Sequence, residues 1–194
     1  MIKAAFLDRD GVINQKPSEG EYITRWEDFR LLPLAAEGIV LLNRAGFRVI
    51  VVTNQRCVAK GLLTTEQLEI MHQRMTALLA QSGATIDAIY YCPHEYGASC
   101  DCRKPSPGML FSAGRAHHID VRESWMVGDS DIDVQAGRNA GCKTVRIVTD
   151  PTDGNGKAYT AGSSADILAS SLFDAARQII QWNAARSRQL IARA

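Results

Sequence analysis

The sequence predicts a three-layer α/β fold, in which a parallel β-sheet lies between helices on both faces. Two observations lead to this prediction. Short runs rich in apolar and β-branched residues alternate with segments of helical periodicity, and a polar or glycine-rich loop follows each apolar run. The chain has 194 residues, a length that fits one α/β domain and is short for two. We therefore expect residues 1–194 to form a single domain.

The apolar runs are the predicted strands, and they cover residues 2–8, 47–53, 88–92, 124–129 and 143–148. Helical periodicity predicts crossover helices at residues 33–46, 63–83, 107–118 and 131–141. In the second of these segments, Thr64 and Gln67 have the spacing of a capping box. We therefore expect that helix to begin at Thr64.

The C-terminal part is predicted to be a loop followed by helix. Residues 150–166 are rich in glycine, serine, threonine and aspartate, which is typical of an exposed loop. Residues 166–194 are predicted to be a helical region with one buried stripe, formed by Leu168, Leu172, Ala176, Ile179 and Ile180. Arginines make this tail basic, so nucleic acid or an acidic membrane surface is an alternative to a solvated helical face. The nearly neutral chain favours the solvated face.

Composition argues for a small-molecule ligand. The formal net charge is +1, too small to favour a nucleic-acid or membrane partner, and no run approaches the ~20 apolar residues of a membrane span. Nothing in the sequence requires more than a monomer. Because nothing in the sequence indicates secretion, we expect a cytoplasmic protein with reduced thiols. The cluster of Cys92, His94, Cys100 and Cys102 then indicates a metal site rather than a disulfide framework.

Acidic residues follow the predicted strands where a parallel sheet binds its ligands, at the carboxyl ends. The first strand ends at Asp8, Asp10 follows two positions later, and Asp129 ends the fourth strand. Carboxylates brought together repel one another, and a hard cation such as Mg²⁺ relieves the repulsion, so these three are candidate Mg²⁺ ligands. Lys104, with the hydroxyl of Thr53 and the amide of Asn54, could complete a cradle for a phosphoryl group.

Each of these features has a simpler interpretation. An Asp-x-Asp-Gly stretch can be a turn with solvated acids, the acids of "GDSDID" can cap a helix, and Lys104 can be a surface lysine. The order of the groups at successive strand ends favours a catalytic pocket, since such an arrangement rarely arises by accident.

The motifs "FLDRDGVIN", "VVTNQ", "CRKPSPGML" and "VGDSDIDVQAGRNAG" resemble the four motifs of the haloacid dehalogenase (HAD) superfamily of phosphatases. The insert "CPHEYGASCDCRKP" is similar to that of the zinc-containing, capless branch, which includes phosphatases of heptose bisphosphates and of histidinol phosphate. The resemblance spans roughly residues 4–148. It implies a Rossmann-like sheet, no large cap domain and a zinc-stabilised loop at 92–102.

The resemblance also implies roles for the acids. Asp8 would be the nucleophile that forms an aspartyl-phosphate, and Asp10 the acid that protonates the leaving oxygen and then the base that activates water. Mg²⁺ would be held by Asp8, by the backbone carbonyl of Asp10 and by Asp129. Asp133 would lie in the second coordination sphere, orienting the lysine or a metal-bound water.

The remaining implied roles are in binding. Thr53 and Asn54 would bind phosphoryl oxygens, Lys104 would offset negative charge, and Arg103 would reach the substrate. The resemblance also implies a closed tetrahedral Zn²⁺ set of Cys92, His94, Cys100 and Cys102. Such a set has no open position for water, so its role would be structural: to fix the loop that delivers Arg103 and Lys104.

We therefore expect a Mg²⁺-dependent phosphatase that removes the 7-phosphate of a heptose 1,7-bisphosphate of either anomer, on the route to lipopolysaccharide or S-layer heptose. The alternatives are histidinol phosphate or another small sugar phosphate as substrate, a phosphotransferase or mutase, and a non-catalytic zinc-stabilised module. A phosphotransferase would need a mobile cap, and a binding module would not need both Asp8 and Asp10.

Some residues depart from the family pattern or stand outside it. Arg56 and Cys57 replace the small pair that usually follows Thr-Asn-Gln, and Arg56 either contacts a second phosphate or lies in solvent. Cys57 and Cys142 are expected to be ordinary thiols, and His72 to be a surface or boundary residue.

Overall fold

The structure is a computed structural model that describes residues 2–148 and 165–191. Its strands are β1 (Lys3–Leu7), β2 (Phe47–Asn54), β3 (Ala88–Cys92), β4 (Trp125–Gly128), β5 (Lys143–Ile147) and β6 (Ile167–Ala169). Its α-helices are α1 (Ala35–Arg44), α2 (Thr65–Ala80), α3 (Gly108–Ala116), α4 (Asp131–Ala140) and α5 (Leu172–Ile191). Short 3-10 helices occupy Trp26–Asp28 and Val121–Glu123. The five predicted strands and the four crossover helices are all present.

The strands form one sheet in the order β3-β2-β1-β4-β5-β6, and every neighbouring pair is parallel. Leu7 of β1 is in register with Val51 of β2 and with Val127 of β4. Strands β1, β2 and β4 therefore end at one edge of the sheet, and the polar residues that follow them are brought together there.

Helices cover both faces of the sheet, as predicted. Side chains alternate along β1, so Ala5 and Leu7 pack on one face and Ala4 and Phe6 on the other. The first face is covered by apolar residues of α1, α2 and α5, including Ile39, Leu42, Met75, Leu79 and Ile179. The second is covered mainly by α3, through Met109, Leu110 and Ala113. The core thus consists of two apolar layers separated by the sheet.

The capping box of α2 is also confirmed. The Thr64 side chain accepts from the backbone N–H of Gln67 at 3.2 Å, and the Gln67 side chain accepts from the backbone N–H of Thr64 at 2.8 Å. These two bonds satisfy donors that the first turn of a helix leaves unpaired. Helix α2 therefore begins at a fixed point, which matters because this helix reaches the candidate site.

The prediction of a continuous helical region from residue 166 is wrong at its start. Residues 167–169 form strand β6, parallel to β5, so Leu168 lies in a strand and not in the helical stripe. The Asp166 carboxylate accepts from the backbone N–H and the hydroxyl of Thr144, both at 2.7 Å. These bonds hold the segment against the sheet, and α5 begins only at Leu172. Most of the loop predicted at 150–166 lies outside the described residues.

The fold leaves the candidate site without a second domain over it, in the part of the chain that the structure describes. The segment between β1 and α1, where a cap could be inserted, contains only the 3-10 helix Trp26–Asp28. Across residues 2–148 and 165–191, we find no helix with the length and apolar character needed to cross a bilayer.

Candidate active site

A cavity of about 760 Å³ opens at the edge of the sheet where β1, β2 and β4 end. The sequence-predicted residues that line it are Asp8, Asp10, Thr53, Asn54, Arg103, Lys104, Asp129 and Asp133. They come from parts of the chain separated by more than a hundred residues, and the parallel sheet brings them together. The cavity is the candidate active site.

Lys104 is the cation at the centre of this site. Its Nζ lies 2.9 Å from Oδ1 of Asp8 and 2.6 Å from Oδ1 of Asp133, and it donates to the carbonyl of Val52 at 2.9 Å. The residue is 3% exposed. Burial alone would lower the pKa of Lys104, but the two carboxylates raise it above its ordinary value. Lys104 is therefore permanently charged, and its three contacts fix its position.

The carboxylates outnumber this cation. Oxygen atoms of Asp8, Asp129 and Asp133 all lie within 4.8 Å of one another. Burial raises the pKa of Asp8 to about 7, Lys104 opposes the shift, and Asp133 and Asp10 add to it. Burial also raises the pKa of Asp129. This concentration of oxygen ligands and uncompensated negative charge is what a hard divalent cation prefers, so the donor set fits Mg²⁺.

Asp133 and Asp129 have different second partners. Asp133 lies in the first turn of α4, where its Oδ2 accepts from the Ser130 hydroxyl at 2.5 Å and from the Ser130 N–H at 3.2 Å. Asp129 instead pairs with Lys16, whose Nζ lies 2.6 Å from Oδ2. Asp133 therefore pairs with Lys104 and caps the start of α4. Within the described residues, the side-chain partner of Asp129 is an exposed lysine, which sequence reasoning did not identify.

The Asp10 carboxylate has its own set of donors. It accepts from the guanidinium of Arg9, from Nδ2 of Asn14 at 2.8 Å and from Nε2 of Gln55 at 2.9 Å. Burial would raise the pKa of Asp10, but Arg9 and the two amides outweigh it, so the pKa is lowered. Asp8 and Asp10 thus face one cavity, but the pKa of Asp8 is raised and that of Asp10 is lowered.

His72 is buried and in contact with this network, so the expectation of a surface or boundary residue is wrong. It is 5% exposed, and its Nε2 lies 3.3 Å from Nη1 of Arg9. Burial and the nearby guanidinium lower its pKa to about 3, so its ring is neutral. Arg9 and His72 were missed because nothing in the sequence shows that α2 packs against the end of β1.

The predicted phosphoryl-binding residues lie beside Lys104. Thr53 is buried, and its Oγ1 accepts from Nε2 of Gln55 at 3.0 Å. The Asn54 side chain donates to the carbonyl of Lys104 and accepts from its N–H, both at 3.1 Å. Asn54 therefore ties the end of β2 to the backbone of Lys104, and holds that lysine in register with the site.

The structure brings together the cysteines and the histidine of the loop before Lys104. Sγ of Cys92 lies 3.5 Å from Nδ1 of His94 and 3.9 Å from Sγ of Cys100, and Nδ1 of His94 lies 3.2 Å from Sγ of Cys102. A tetrahedral ion with Zn–S bonds of about 2.3 Å has S–S edges of about 3.8 Å. The spacing and chemistry of this donor set therefore fit Zn²⁺, whereas Cys57 and Cys142 are buried elsewhere.

At the cavity wall, two arginines lie against the ring of Tyr96, which belongs to the loop that contains the Cys/His cluster. The guanidinium carbons of Arg56 and Arg103 lie 4.3 Å and 4.1 Å from the centre of the Tyr96 ring. Arg56 also pairs with Glu95, and Arg103 donates to the carbonyl of His94 at 3.0 Å. Of the two expectations for Arg56, free solvation does not hold, because its side chain is partly buried in these contacts.

Comparisons with known proteins agree with this geometry. The HAD-hydrolase-like family model matches residues 101–175. The D-glycero-beta-D-manno-heptose-1,7-bisphosphate 7-phosphatase of Pseudomonas aeruginosa is 41% identical over 143 residues, covering 74% of this chain and 79% of the relative. The corresponding alpha phosphatase of Photorhabdus laumondii is 36% identical, covering 78% of this chain and 88% of the relative.

A solved structure supports the same relationship. The D,D-heptose 1,7-bisphosphate phosphatase of B. bronchiseptica, crystallised with magnesium and phosphate, superposes with a TM-score of 0.81 and 33% identity, covering 93% of this chain and 99% of that one. The chain therefore belongs to the HAD-like hydrolases, in the family of the heptose-1,7-bisphosphate 7-phosphatases.

Proposed function

We propose that the protein is a Mg²⁺-dependent phosphatase that removes the 7-phosphate of a D-glycero-D-manno-heptose 1,7-bisphosphate through an aspartyl-phosphate on Asp8. The observation that carries the proposal is the contact of buried Lys104 with both Asp8 and Asp133 at the wall of an open cavity. The names of the relatives support the choice of substrate.

In the first step, a carboxylate oxygen of Asp8 attacks the phosphorus atom of the substrate. A bond forms between Asp8 and phosphorus, the bond from phosphorus to the sugar oxygen breaks, and Asp10 gives a proton to that oxygen. In the second step, Asp10 takes a proton from the water that attacks the same phosphorus atom. Inorganic phosphate leaves and Asp8 is regenerated as a carboxylate.

The other side chains hold the phosphoryl group during both steps. Lys104 offsets negative charge on Asp8 and on the transferred group, while Thr53 and Asn54 bind phosphoryl oxygens. Asp8, the backbone carbonyl of Asp10 and Asp129 would hold Mg²⁺, which would neutralise charge on the phosphoryl group when bound. Asp133 holds Lys104 through a second ion pair.

The proposed role of the Cys/His cluster is structural. Zn²⁺ on Cys92, His94, Cys100 and Cys102 would fix the loop whose next residues are Arg103 and Lys104. Asn54 supports the same segment from β2. Metal binding to the loop would therefore stabilise the position of the catalytic lysine.

The cavity wall favours a bisphosphate over histidinol phosphate. Arg56 and Arg103 present guanidinium groups beside Tyr96, and an anionic second group on the substrate complements them. Histidinol phosphate instead carries an ammonium group, which these cations repel. Because relatives carry both anomeric names, the two anomers of the heptose are tested together.

The test is phosphate release with Mg²⁺ from a panel of phosphate esters. The panel contains both anomers of heptose 1,7-bisphosphate, fructose 1,6-bisphosphate, histidinol phosphate and simple phosphomonoesters. We expect a clear preference for one heptose anomer. Preference for histidinol phosphate would overturn the substrate while retaining the mechanism, and activity on no ester would overturn the proposed function.

We also propose that the protein acts as a monomer in the cytoplasm. Reduced thiols are needed for the metal cluster, and the cytoplasm keeps thiols reduced. A sedimentation measurement of the Mg²⁺-loaded protein that gives a dimer would contradict the monomer.

A further inference from the structure

Arg9, between the two aspartates of the first motif, has no role in the mechanism above, yet it is 1% exposed. An arginine is rarely buried this far unless it is paired. Its Nη2 lies 2.9 Å from Oδ1 and 3.1 Å from Oδ2 of Asp10, and its Nε lies 3.2 Å from Oδ1. The planar guanidinium thus contacts both oxygens of one carboxylate, a geometry that the single ammonium of a lysine does not reproduce.

Helix α2 holds the other side of the guanidinium. Nη1 of Arg9 lies 3.3 Å from Nε2 of His72 and 3.9 Å from Sδ of Met71. The neutral imidazole of His72 can accept a hydrogen bond from Nη1 through Nε2. The His72 ring in turn packs against the Tyr91 ring of β3, with 5.6 Å between the ring centres. The guanidinium is therefore fixed from both ends, by a carboxylate in the cavity and by a packed helix behind it.

Asp10 has two further donors, Asn14 and Gln55, but Arg9 is the only charged group among the hydrogen-bond partners that the structure gives it within the described residues. The pair is shielded from solvent on the Arg9 side and reaches the cavity on the Asp10 side, where the Asp10 side chain is 22% exposed. An acid that transfers a proton must meet its target at hydrogen-bond distance, and small misplacements are costly in rate.

We propose that Arg9, braced by His72, is a positioning residue that holds the Asp10 carboxyl group in the orientation for proton transfer to the sugar oxygen. The inference rests on the proposed function, in which Asp10 is that acid. When the bond from phosphorus to the sugar oxygen breaks, the electron pair stays on the oxygen and the proton of Asp10 moves to it. Arg9 keeps its own protons throughout.

The test compares two leaving groups in Arg9→Lys, which keeps the charge and loses the two-pronged contact. An alkyl phosphate, such as the preferred sugar bisphosphate, needs a proton on its leaving oxygen, whereas p-nitrophenyl phosphate leaves as a stable anion. Because kcat/KM reports the steps up to release of the leaving group, it isolates this proton transfer from the later attack of water. We expect a loss of about tenfold or more on the alkyl ester, within the about 10²–10⁴ that general acids contribute. On the aryl ester we expect a loss of less than about threefold.

Two further variants keep the test decisive. Arg48→Lys changes another arginine paired with an aspartate, at 2.5 Å from Asp87, but at the start of β2, away from the cavity, and should leave both rates unchanged. His72→Leu removes the brace behind Arg9, and should give the same selective loss in smaller measure. If thermal unfolding shows that Arg9→Lys does not fold, the two esters are compared in His72→Leu instead.

Equal losses on both esters, or no loss on either, in folded Arg9→Lys or His72→Leu protein would overturn the positioning role while leaving the proposed function intact. Parent protein that hydrolyses neither ester would instead overturn the proposed function, and this inference with it.

Discussion

Two regions of the molecule concentrate side chains that could hold a metal ion, and they differ in how their charges are balanced. In the cavity, Asp8, Asp129 and Asp133 lie together around a buried lysine that contacts two of them. At the end of β3 and in the loop that follows it, the thiols and the imidazole of the Cys/His cluster lie together in a group that includes no lysine or arginine. The carboxylates of the first region are partly neutralised by Lys104, and they are open to the cavity. The other region places three thiols and one imidazole within 4.8 Å of one another at the start of the segment that carries Lys104.

The difference shows how one loop can serve both regions. A structural metal needs a closed set of ligands, whereas a catalytic site needs open coordination and charges already in place before substrate arrives. Lys104 follows the last cysteine by two positions, so a metal ion held by the cluster would also fix the segment that enters the cavity. We therefore expect perturbation of the cavity to alter rate first, and perturbation of the cluster to alter stability first.

The largest expected effect is on rate, in Asp8→Asn. Removing the nucleophile leaves only positioning and charge, so phosphate release should fall by about 10³-fold or more, while the variant still folds and unfolds cooperatively. The matched control is Asp28→Asn, since Asp28 is an exposed aspartate that pairs with Arg25. Phosphate release by Asp8→Asn equal to that of the parent would remove Asp8 from the mechanism.

The second effect is on stability, in Cys100→Ser. We expect tightly held zinc to fall from about one equivalent and the free energy of unfolding to drop by several kcal/mol, because a structural metal contributes directly to folding. Cys142→Ser, at a buried cysteine outside the cluster, should retain its zinc. Parent protein with less than about half an equivalent of zinc would contradict the assignment of the cluster.

The third effect is on both properties, in Lys104→Met. Leaving Asp8 and Asp133 buried without their cation should lower the free energy of unfolding by about 3–5 kcal/mol near neutral pH, and should also abolish phosphate release. Urea unfolding measures the first effect. Lys3→Met, a substitution in β1 away from the cavity, is the control. If Lys104→Met is as stable as Lys3→Met, the buried ion pairs are not what balances the cavity.

The smallest effect is a pH dependence of stability in magnesium-free buffer. The pKa of Asp8 is raised from 3.8 to about 7 in the folded protein, so between these values the folded state binds more protons than the unfolded state. Stability should therefore fall as pH rises through this window, with a slope of at most about 1.4 kcal/mol per pH unit from this group. Unfolding of the parent and of Asp8→Asn at several pH values isolates the contribution, since other titrating groups are common to both. Identical slopes in the two proteins would contradict it.

Much of the fold was predictable because parallel strands buried on both faces are continuous apolar runs. Strand β6 was not, since three residues, Ile167–Ala169, merge with the apolar pattern of the helix that follows. Only its pairing with β5 and the bonds from Asp166 to Thr144 make it a strand.

The residues of the candidate site also divide into those that the sequence predicts and those that it does not. Residues at strand ends, such as Asp8 and Asp129, were predictable because the topology of a parallel sheet places them together. Arg9 was not, because alternation along an extended chain places it opposite Asp8 and Asp10. Its guanidinium nevertheless contacts Asp10, and His72, sixty-three positions later, lies against its other end. Contacts between distant elements of this kind leave no local pattern in the sequence.

The central claim is that phosphoryl transfer passes through Asp8, and the stereochemistry at phosphorus tests it most directly. The substrate is prepared with a thiophosphoryl group made chiral at phosphorus by sulfur and two oxygen isotopes, it is hydrolysed in water of the third oxygen isotope, and the configuration of the released thiophosphate is determined. Each in-line displacement inverts the phosphorus atom, so attack by Asp8 followed by attack by water predicts overall retention. Inversion would mean that water attacks the substrate directly, and would contradict the account.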